Sequence, residues 1–239
     1  SDFKPKKLRA YKVPELLKPE VERQIKEMLE LGIIAPSNSE MASPVVCVLK
    51  GPNGQNGVRL AIDYRHVNRY SIGDCFPTPD ISDVLQKVGR AKYISCFDAK
   101  SGYWQLPVKK ESRWLTAFVC DAGLFEFNRM PFGLKSASNT FIRCISRVLH
   151  PIRAFTEPFV DDMSVFSMTW EEHLRHLDKF LETIKNSGMT LSPKKCSFAQ
   201  SEVTFVGHVI GSGQIIPDPV KIATVSNLQP PITKKDEIG

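Results

Sequence analysis

Apolar residues recur along the chain at two periods, and the switches between them mark out its elements. Val21, Ile25, Met28 and Leu29 share one side of a 3.6-residue repeat that Pro19 opens and Gly32 stops, which predicts a helix. Pro44–Lys50 and Val58–Asp63 are strand-like runs on either side of a glycine-rich stretch, Gly51–Gly57. They predict a hairpin with a mobile tip and with Lys50 and Arg59 at its two ends. Tyr93–Phe97 predicts a strand that closes on Asp98, and Arg113–Val119 with Leu124–Asn128 predict a second hairpin around Asp121-Ala122-Gly123. Phe141, Ile145, Val148 and Leu149 then form a helical stripe that stops before Pro151. Two short strands, about 154–160 and 163–167, are joined through Asp161-Asp162. The next helix carries Glu171 and Glu172 in its first turn, has Leu174, Leu177, Leu181 and Ile184 as apolar positions, and ends at Asn186 and Gly188. Strand structure resumes over Val203–Ile210.

With the inserted hairpin left out, this order is β-α-β-β-α-β, a split βαβ or ferredoxin-like unit. Its first and second strands are parallel, and the third lies between them, antiparallel to both. The end of strand one therefore sits beside the turn that joins strands two and three. Here those two places are Asp98 and Asp161-Asp162, so acids 63 positions apart (98 to 161) are expected on one edge of one sheet.

Composition narrows the class. The β-α-β-β-α-β order makes the fold class α+β, and the composition agrees with a globular protein: 239 residues, 42% hydrophobic and 24% charged, which argues against disorder or a collagen-like repeat. Cysteines 47, 75, 96, 120, 144 and 196 lie far apart with no CxxC pair and read as buried thiols rather than disulfides. No apolar run approaches the roughly 20 residues of a membrane span. The net charge of +6 permits a polyanionic partner without requiring one. Lys4, Lys6, Lys7, Arg9 and Lys12 crowd the first dozen residues, which are expected to be mobile. A start at Ser1 rather than Met reads as a piece of something longer.

Clustered aspartates suit a hard cation with oxygen ligands, Mg²⁺ or Mn²⁺ rather than zinc. Two such ions about 4 Å apart can activate an attacking hydroxyl and stabilise a leaving phosphate oxygen. The plainer reading of Asp161-Asp162 is a turn former. His173 and His176, one turn apart on a helix with Cys196 downstream, suggest zinc at first sight, but no fourth ligand presents itself.

Longer runs carry a resemblance. Phe97-Asp98-Ala99-Lys100-Ser101-Gly102-Tyr103-Trp104-Gln105 resembles the first catalytic-aspartate motif of reverse transcriptases, and Phe159-Val160-Asp161-Asp162 resembles their [Y/F]xDD box. Thr116-Ala117-Phe118, Arg129–Leu134, Asp63–Asn68, Glu172-His173-Leu174, Phe205–His208 and Leu31–Ser37 are similar to Gypsy-type long-terminal-repeat retrotransposon sequences, in the same order. The resemblance runs from about residue 8 to the end. It implies the fingers and palm of a right-hand polymerase that copies RNA or DNA into DNA. Residues 1–75 and 107–140 would be fingers, 76–106 and 141–205 palm, and 206–239 a primer-grip region and a linker toward a thumb that the chain does not include.

The resemblance implies roles residue by residue. Asp98, Asp161 and Asp162 become the catalytic acids, and Asp98 and Asp161 hold two Mg²⁺ ions with the backbone carbonyl of Ala99 assisting. Asp162 supports them. Arg59 and Lys50 contact the incoming dNTP, Tyr103 is the steric gate against a 2′-hydroxyl, and Phe132 stands where retroviral enzymes often have Gln. Phe205, Val206, Gly207 and His208 fall in the primer grip. Departures are Phe159 for Tyr, Ser138 for a usual Pro, and Glu40-Met41 for Pro-Trp. Expected partners are an RNA or DNA template–primer and dNTPs, with ribonuclease H and thumb domains in the full element, in a cytoplasmic retroelement particle or the nucleus. The rival readings are a non-catalytic nucleic-acid-binding scaffold and an RNA-dependent RNA polymerase, which would not want a bulky Tyr103 at the gate.

Overall fold

The computed structural model of the protein describes residues 3–51, 57–74, 76, 80–159, 162–205, 207–211, 214–217, 219 and 222. The chain divides into two compact units: Ser1–Pro77 with Ser101–Cys144, and Thr78–Lys100 with Ile145–Gly239.

In the first unit, helix α1 (Lys18–Glu30) begins with a proline in its first turn and buries Val21, Ile25 and Met28, the stripe its periodicity predicts. It covers a five-stranded sheet made of β1 (Ile34–Pro36), β2 (Ser43–Leu49), β3 (Val58–Ile62), β5 (Phe118–Cys120) and β6 (Gly123–Phe127). The strand order is β1-β6-β5-β2-β3, with β2 and β5 parallel and the other neighbours antiparallel. The core between helix and sheet contains Ile25, Ile34, Val45, Phe118, Phe125 and Phe127. The hairpin of β2 and β3 pairs Leu49 with Val58, and its residues 52–56 lie outside the described set.

Two expectations change here, and one helix is added to them. Arg113–Thr116 is not strand: Lys110–Thr116 is a 3-10 helix, because the Thr116 hydroxyl donates back to the Arg113 carbonyl (2.6 Å) and accepts from the Phe127 N–H (2.9 Å). A short helix α2 (Arg65–Tyr70) has no stripe to announce it, only Val67 buried. The basic lead segment is not loose. Lys7 makes a parallel bridge with Ala42, the Leu8 N–H donates to the Ala42 carbonyl (2.9 Å), and Ala42 N–H donates to the Lys6 carbonyl (3.1 Å). Its apolar residues anchor it: Phe3 lies 5.4 Å from the Tyr70 ring and 5.7 Å from His66, and Val13 joins the core.

The second unit holds β4 (Tyr93–Asp98), β7 (Thr156–Phe159), β8 (Asp162–Ser167) and β9 (Ser197–Gln200) in the order β7-β8-β4-β9, all antiparallel neighbours. That is the split βαβ order, with strand three between strands two and one. Helix α4 (Ala137–Leu149) precedes β7, and α5 (Trp170–Ser187) follows β8. Thr169 and Glu172 cap α5 reciprocally, and Gly188 at φ 73° ends it. The fourth strand is β9, not the 203–210 region. That region forms a separate antiparallel sheet of β10 (Glu202–Phe205), β11 (His208–Gly211) and β12 (Gln214–Pro217). Helix α3 (Ile81–Gly89), capped by the Asp80 carboxylate on the Ser82 N–H, packs Val84, Leu85 and Val88 with Val203, Ile210 and Ile94.

The buried face of α5 also differs from expectation. Leu174 and Leu181 are exposed, while His173, Phe180 and Ile184 are buried. Phe180 stacks 4.4 Å from Phe97, and His173 is tolerated inside because hydroxyls meet both ring nitrogens: Ser95 Oγ at 2.8 Å and Ser167 Oγ at 2.9 Å. Among the described cysteines all are free and only Cys120 is fully buried; Cys75 lies outside the described residues.

Candidate functional site

The last residue of β4 and the first of β8 face each other: Asp98 pairs with Asp162, Phe97 with Met163 and Cys96 with Ser164. Residues directly opposite in an antiparallel ladder share a face, so both carboxylates and the Cys96 thiol stand on one side of the sheet. The other side, with Phe97, Met163 and Val165, is sealed by α5. On the acid side, Ile94, Cys96 and Phe166 meet α3 and the β10–β11 hairpin at the far end. Asp98 keeps 20% of its side chain exposed. Asp161 lies outside the described residues, and among those described no three His, Cys, Asp or Glu form a metal-holding group.

Three tertiary contacts set the Asp98 end. The Lys195 ammonium sits 3.0 Å from Asp98 Oδ2. The Asp98 carbonyl accepts from the Ser192 N–H (2.9 Å), and the Lys100 N–H donates to the Thr190 carbonyl (3.0 Å). These bonds flank Ala99, bridged to Leu191, and so turn the N–H and C=O of Ala99 away from the 190–192 segment. A cysteine, Cys96, stands beside the acids. Burial first, and the Asp162 charge second, push its thiol up to about 12. With no metal bound, Cys96 is therefore a neutral thiol. The remaining donors are carboxylate and carbonyl oxygens, which fit Mg²⁺ or Mn²⁺.

The first unit carries a separate cleft of about 650 Å³, lined by Lys50 and Arg59 at the ends of the β2–β3 hairpin, by Ser101 and Trp104, and by Phe132. Arg23 on its α1 wall is neutralised by Glu20 (2.8 Å) and Glu27 (3.0 Å). Lys50 and Arg59 make no ion pair among the described residues. Tyr103 does not line this cleft. It lies behind Phe132, ring centroids 4.8 Å apart, against Phe141 at 5.3 Å, and its hydroxyl shares a 2.8 Å hydrogen bond with Ser138. Gly102 makes that packing possible, since a Cβ there would sit 2.5 Å from the Phe141 ring.

Phe205 and His208 pair across the β10–β11 turn, which Gly207 closes at φ 72°; Val206 lies outside the described residues. The two histidines whose spacing suggests zinc are structural. His173 is buried between Ser95 and Ser167, and His176 takes the same Ser167 hydroxyl (2.8 Å) while stacking on Phe155 at 3.8 Å. Sequence reasoning misses Lys195 and the hydroxyl of Ser138. Ser138 stands out only as a departure from the family pattern, and Lys195 only as one of two adjacent lysines. Met41, another departure, is fully buried in a small core with Tyr64 and Val67.

A split βαβ sheet with paired acids at one strand end, together with a mixed five-stranded unit, has the architecture of the fingers and palm of a right-hand polymerase. The family model described as reverse transcriptase (RNA-dependent DNA polymerase) matches residues 49–210. The Pol polyprotein of transposon 297 from Drosophila melanogaster is 36% identical over 221 residues, 91% of this chain and 21% of that protein. The enzymatic polyprotein of Cauliflower mosaic virus (strain NY8153) is 36% identical over 208 residues, 87% of this chain and 31% of its own. The chain thus spans between 21% and 31% of the length of these relatives. Among solved structures, a foamy viral protease–reverse transcriptase in complex with RNA/DNA hybrid superposes with a TM-score of 0.88 at 27% identity, covering 98% of this chain and 31% of that one. The chain belongs to the reverse transcriptase family, and its transposon relatives are of the Gypsy type.

Proposed function

We propose that this chain is the fingers–palm portion of a retroelement polymerase that copies RNA or DNA into DNA. The observation that carries the reading is the Asp98–Asp162 register, which brings two acids from separate strands to one sheet end. In the reaction, the primer 3′-oxygen attacks the α-phosphorus of a dNTP, the bond to the β-phosphate oxygen breaks, and pyrophosphate leaves with the 3′-hydroxyl proton lost to solvent. Asp98, Asp161 and the Ala99 carbonyl would hold Mg²⁺ or Mn²⁺, with Asp162 in support. Bound there, the ions supply Lewis-acid stabilisation of the attacking and leaving oxygens.

The chain's own residues divide the remaining work. Lys50 and Arg59 bind the triphosphate, and Phe132 forms the cleft wall. Tyr103, held by Ser138, Phe132 and Phe141, backs the Phe132 wall and would act through it to exclude a 2′-hydroxyl. Phe205–His208 steady the primer end. The first unit serves as fingers and the second as palm, and residues beyond 206 lead toward a thumb. The foamy viral enzyme bound to RNA/DNA hybrid supports a template–primer as partner. A retroelement particle in the cytoplasm is the proposed setting.

One observation favours a scaffold instead: Asp98 is already neutralised by Lys195. Primer extension on an RNA template with Mg²⁺ and dNTPs at low salt, beside Asp161→Asn, decides. Extension by the parent alone supports the polymerase. A folded, RNA-binding parent that extends nothing favours the scaffold.

A further inference from the structure

The lead segment concentrates Lys4, Lys6, Lys7, Arg9 and Lys12 within nine residues, all exposed. None of them makes an ion pair among the described residues. A run of like charges ordinarily trails as a solvated tail, because its self-repulsion resists confinement. This one is confined. The Lys6–Leu8 backbone is bonded to Ala42 on both sides, the Lys4 carbonyl lies 3.1 Å from His66 Nε2, and Phe3 is packed among His66, Tyr70 and Trp114.

The neighbouring surface continues the same chemistry. Arg69 on α2 is exposed, and Tyr11 and Tyr70 are 46% and 41% exposed, so two aromatic faces stand beside the cations. Both rings are held in place. The Tyr11 hydroxyl donates to Asp63 at 3.0 Å, and Tyr70 meets Phe3 and His66 edge-on. Helix α2 is bonded in turn to the loop beside the cleft: Asn68 Nδ2 donates to the Gly133 carbonyl and Asn68 Oδ1 accepts from the Lys135 N–H, both at 2.8 Å. Cations and aromatics thus run from the lead segment through α2 to Lys135, next to the Phe132 wall, entirely within the first unit.

We infer that Lys4, Lys6, Lys7 and Arg9, with Arg69 and Tyr70, form a preset track for a single-stranded nucleic acid, its phosphates on the cations and its bases on the exposed rings. Interleaved cations and aromatics are what unpaired strands bind, since a duplex hides its base faces. Because the backbone that carries these side chains is already anchored, less ordering entropy opposes binding than for a free tail. The inference deepens the polymerase reading, as the strand held would be the unpaired template ahead of the primer end.

The test is an equilibrium one and needs no turnover, so it stands or falls apart from primer extension. A fluorescent primer–template with a long 5′ template overhang, and a blunt duplex of the same length, are titrated with the parent chain and with a Lys4→Gln/Lys6→Gln/Lys7→Gln/Arg9→Gln variant between about 50 and 200 mM salt. The variant is expected to bind the overhang substrate roughly tenfold more weakly at the lower salt, with a log–log salt slope smaller by about 0.7 for each phosphate it no longer neutralises. Blunt-duplex binding should not change. Lys4→Arg/Lys6→Arg/Lys7→Arg should restore the parent's isotherm. Phe3→Ala, which keeps every charge but removes the anchor, should also weaken overhang binding. An unchanged slope in the Gln variant, or an equal loss on the blunt duplex, overturns the inference.

Discussion

The two units place their functional groups by different physics. In the second, a strand ladder does it: pairing β4 with β8 fixes Asp98 opposite Asp162, and a one-residue slip would send one carboxylate to the face sealed by α5. In the first, no ladder brings Phe132, Ser138 and Phe141 to Tyr103. Side-chain packing and one hydroxyl pair do so across 29 to 38 positions of sequence (103 to 132 and 141). A site fixed by backbone register should tolerate neighbouring substitutions and fail sharply at the acids themselves. A site fixed by packing should degrade by degrees.

The largest expected effect therefore lies in the palm. Asp98→Asn keeps the size and the ladder but removes a charge from the acid pair, and extension should fall by about a thousandfold, the scale lost when transition-state charge goes unsupported. Arg59→Ala should act mainly on nucleotide affinity. A charge-assisted hydrogen bond contributes about 1.5–3 kcal/mol, so KM for dNTP should rise by about ten- to a hundredfold with kcat less affected. Steady-state single-nucleotide incorporation measures both. If Arg59→Ala lowered kcat at saturating dNTP as much as Asp98→Asn does, the division of labour between the units would be wrong.

A smaller effect is expected behind the cleft wall. Ser138→Ala frees the Tyr103 hydroxyl while Phe132 and Phe141 still hold the ring. A neutral hydrogen bond contributes about 1 kcal/mol net, so discrimination against ribonucleotides should loosen by about two- to tenfold, and Ser138→Thr should restore it. Tyr103→Val, which removes the ring, should loosen it much further. Equal discrimination in Ser138→Ala and the parent would leave ring packing as the whole of the gate.

The same contrast explains what the sequence discloses. The strand order of the second unit and the meeting of Asp98 with Asp162 are legible because period-two apolar runs end on Asp98 and flank Asp161-Asp162, and the split βαβ topology then has one solution. The fourth strand escapes a reading by pattern because Ser197–Gln200 is polar, with Phe198 and Ala199 its only apolar side chains, and its pairing to β4 is irregular. The α5 face misleads for a different reason. Hydropathy ranks Leu174 and Leu181 above His173, but two serines reaching from β4 and β8 make the imidazole the better-satisfied interior residue. Lys195 meets Asp98 across 97 positions, and no local pattern points to it. Tyr103 and Gly102 lie inside a recognisable motif, yet why a glycine must precede the tyrosine emerges only from the ring of Phe141.

The histidine network gives the smallest and most specific prediction. His173 and His176 share the Ser167 hydroxyl, and burial, the largest cause for each, lowers both below the ordinary imidazole value of 6.5; the neighbouring His176 lowers His173 further. A depressed pKa in the folded state means that the unfolded chain takes up protons first as pH falls. Stability is therefore complete above about pH 6.5 and is lost as pH drops below that value toward the lowered folded pKa. Thermal unfolding of the parent should show Tm level from about pH 8 to 7 and declining below about 6.5. His173→Gln retains a donor and an acceptor for Ser95 and Ser167 but cannot titrate. Its Tm should be lower at neutral pH, because the amide fills less of the cavity, and its decline on acidification should be shallower than the parent's. If both proteins lost Tm in parallel, the acid sensitivity would belong to carboxylates elsewhere, and the buried imidazole would be merely a packing residue.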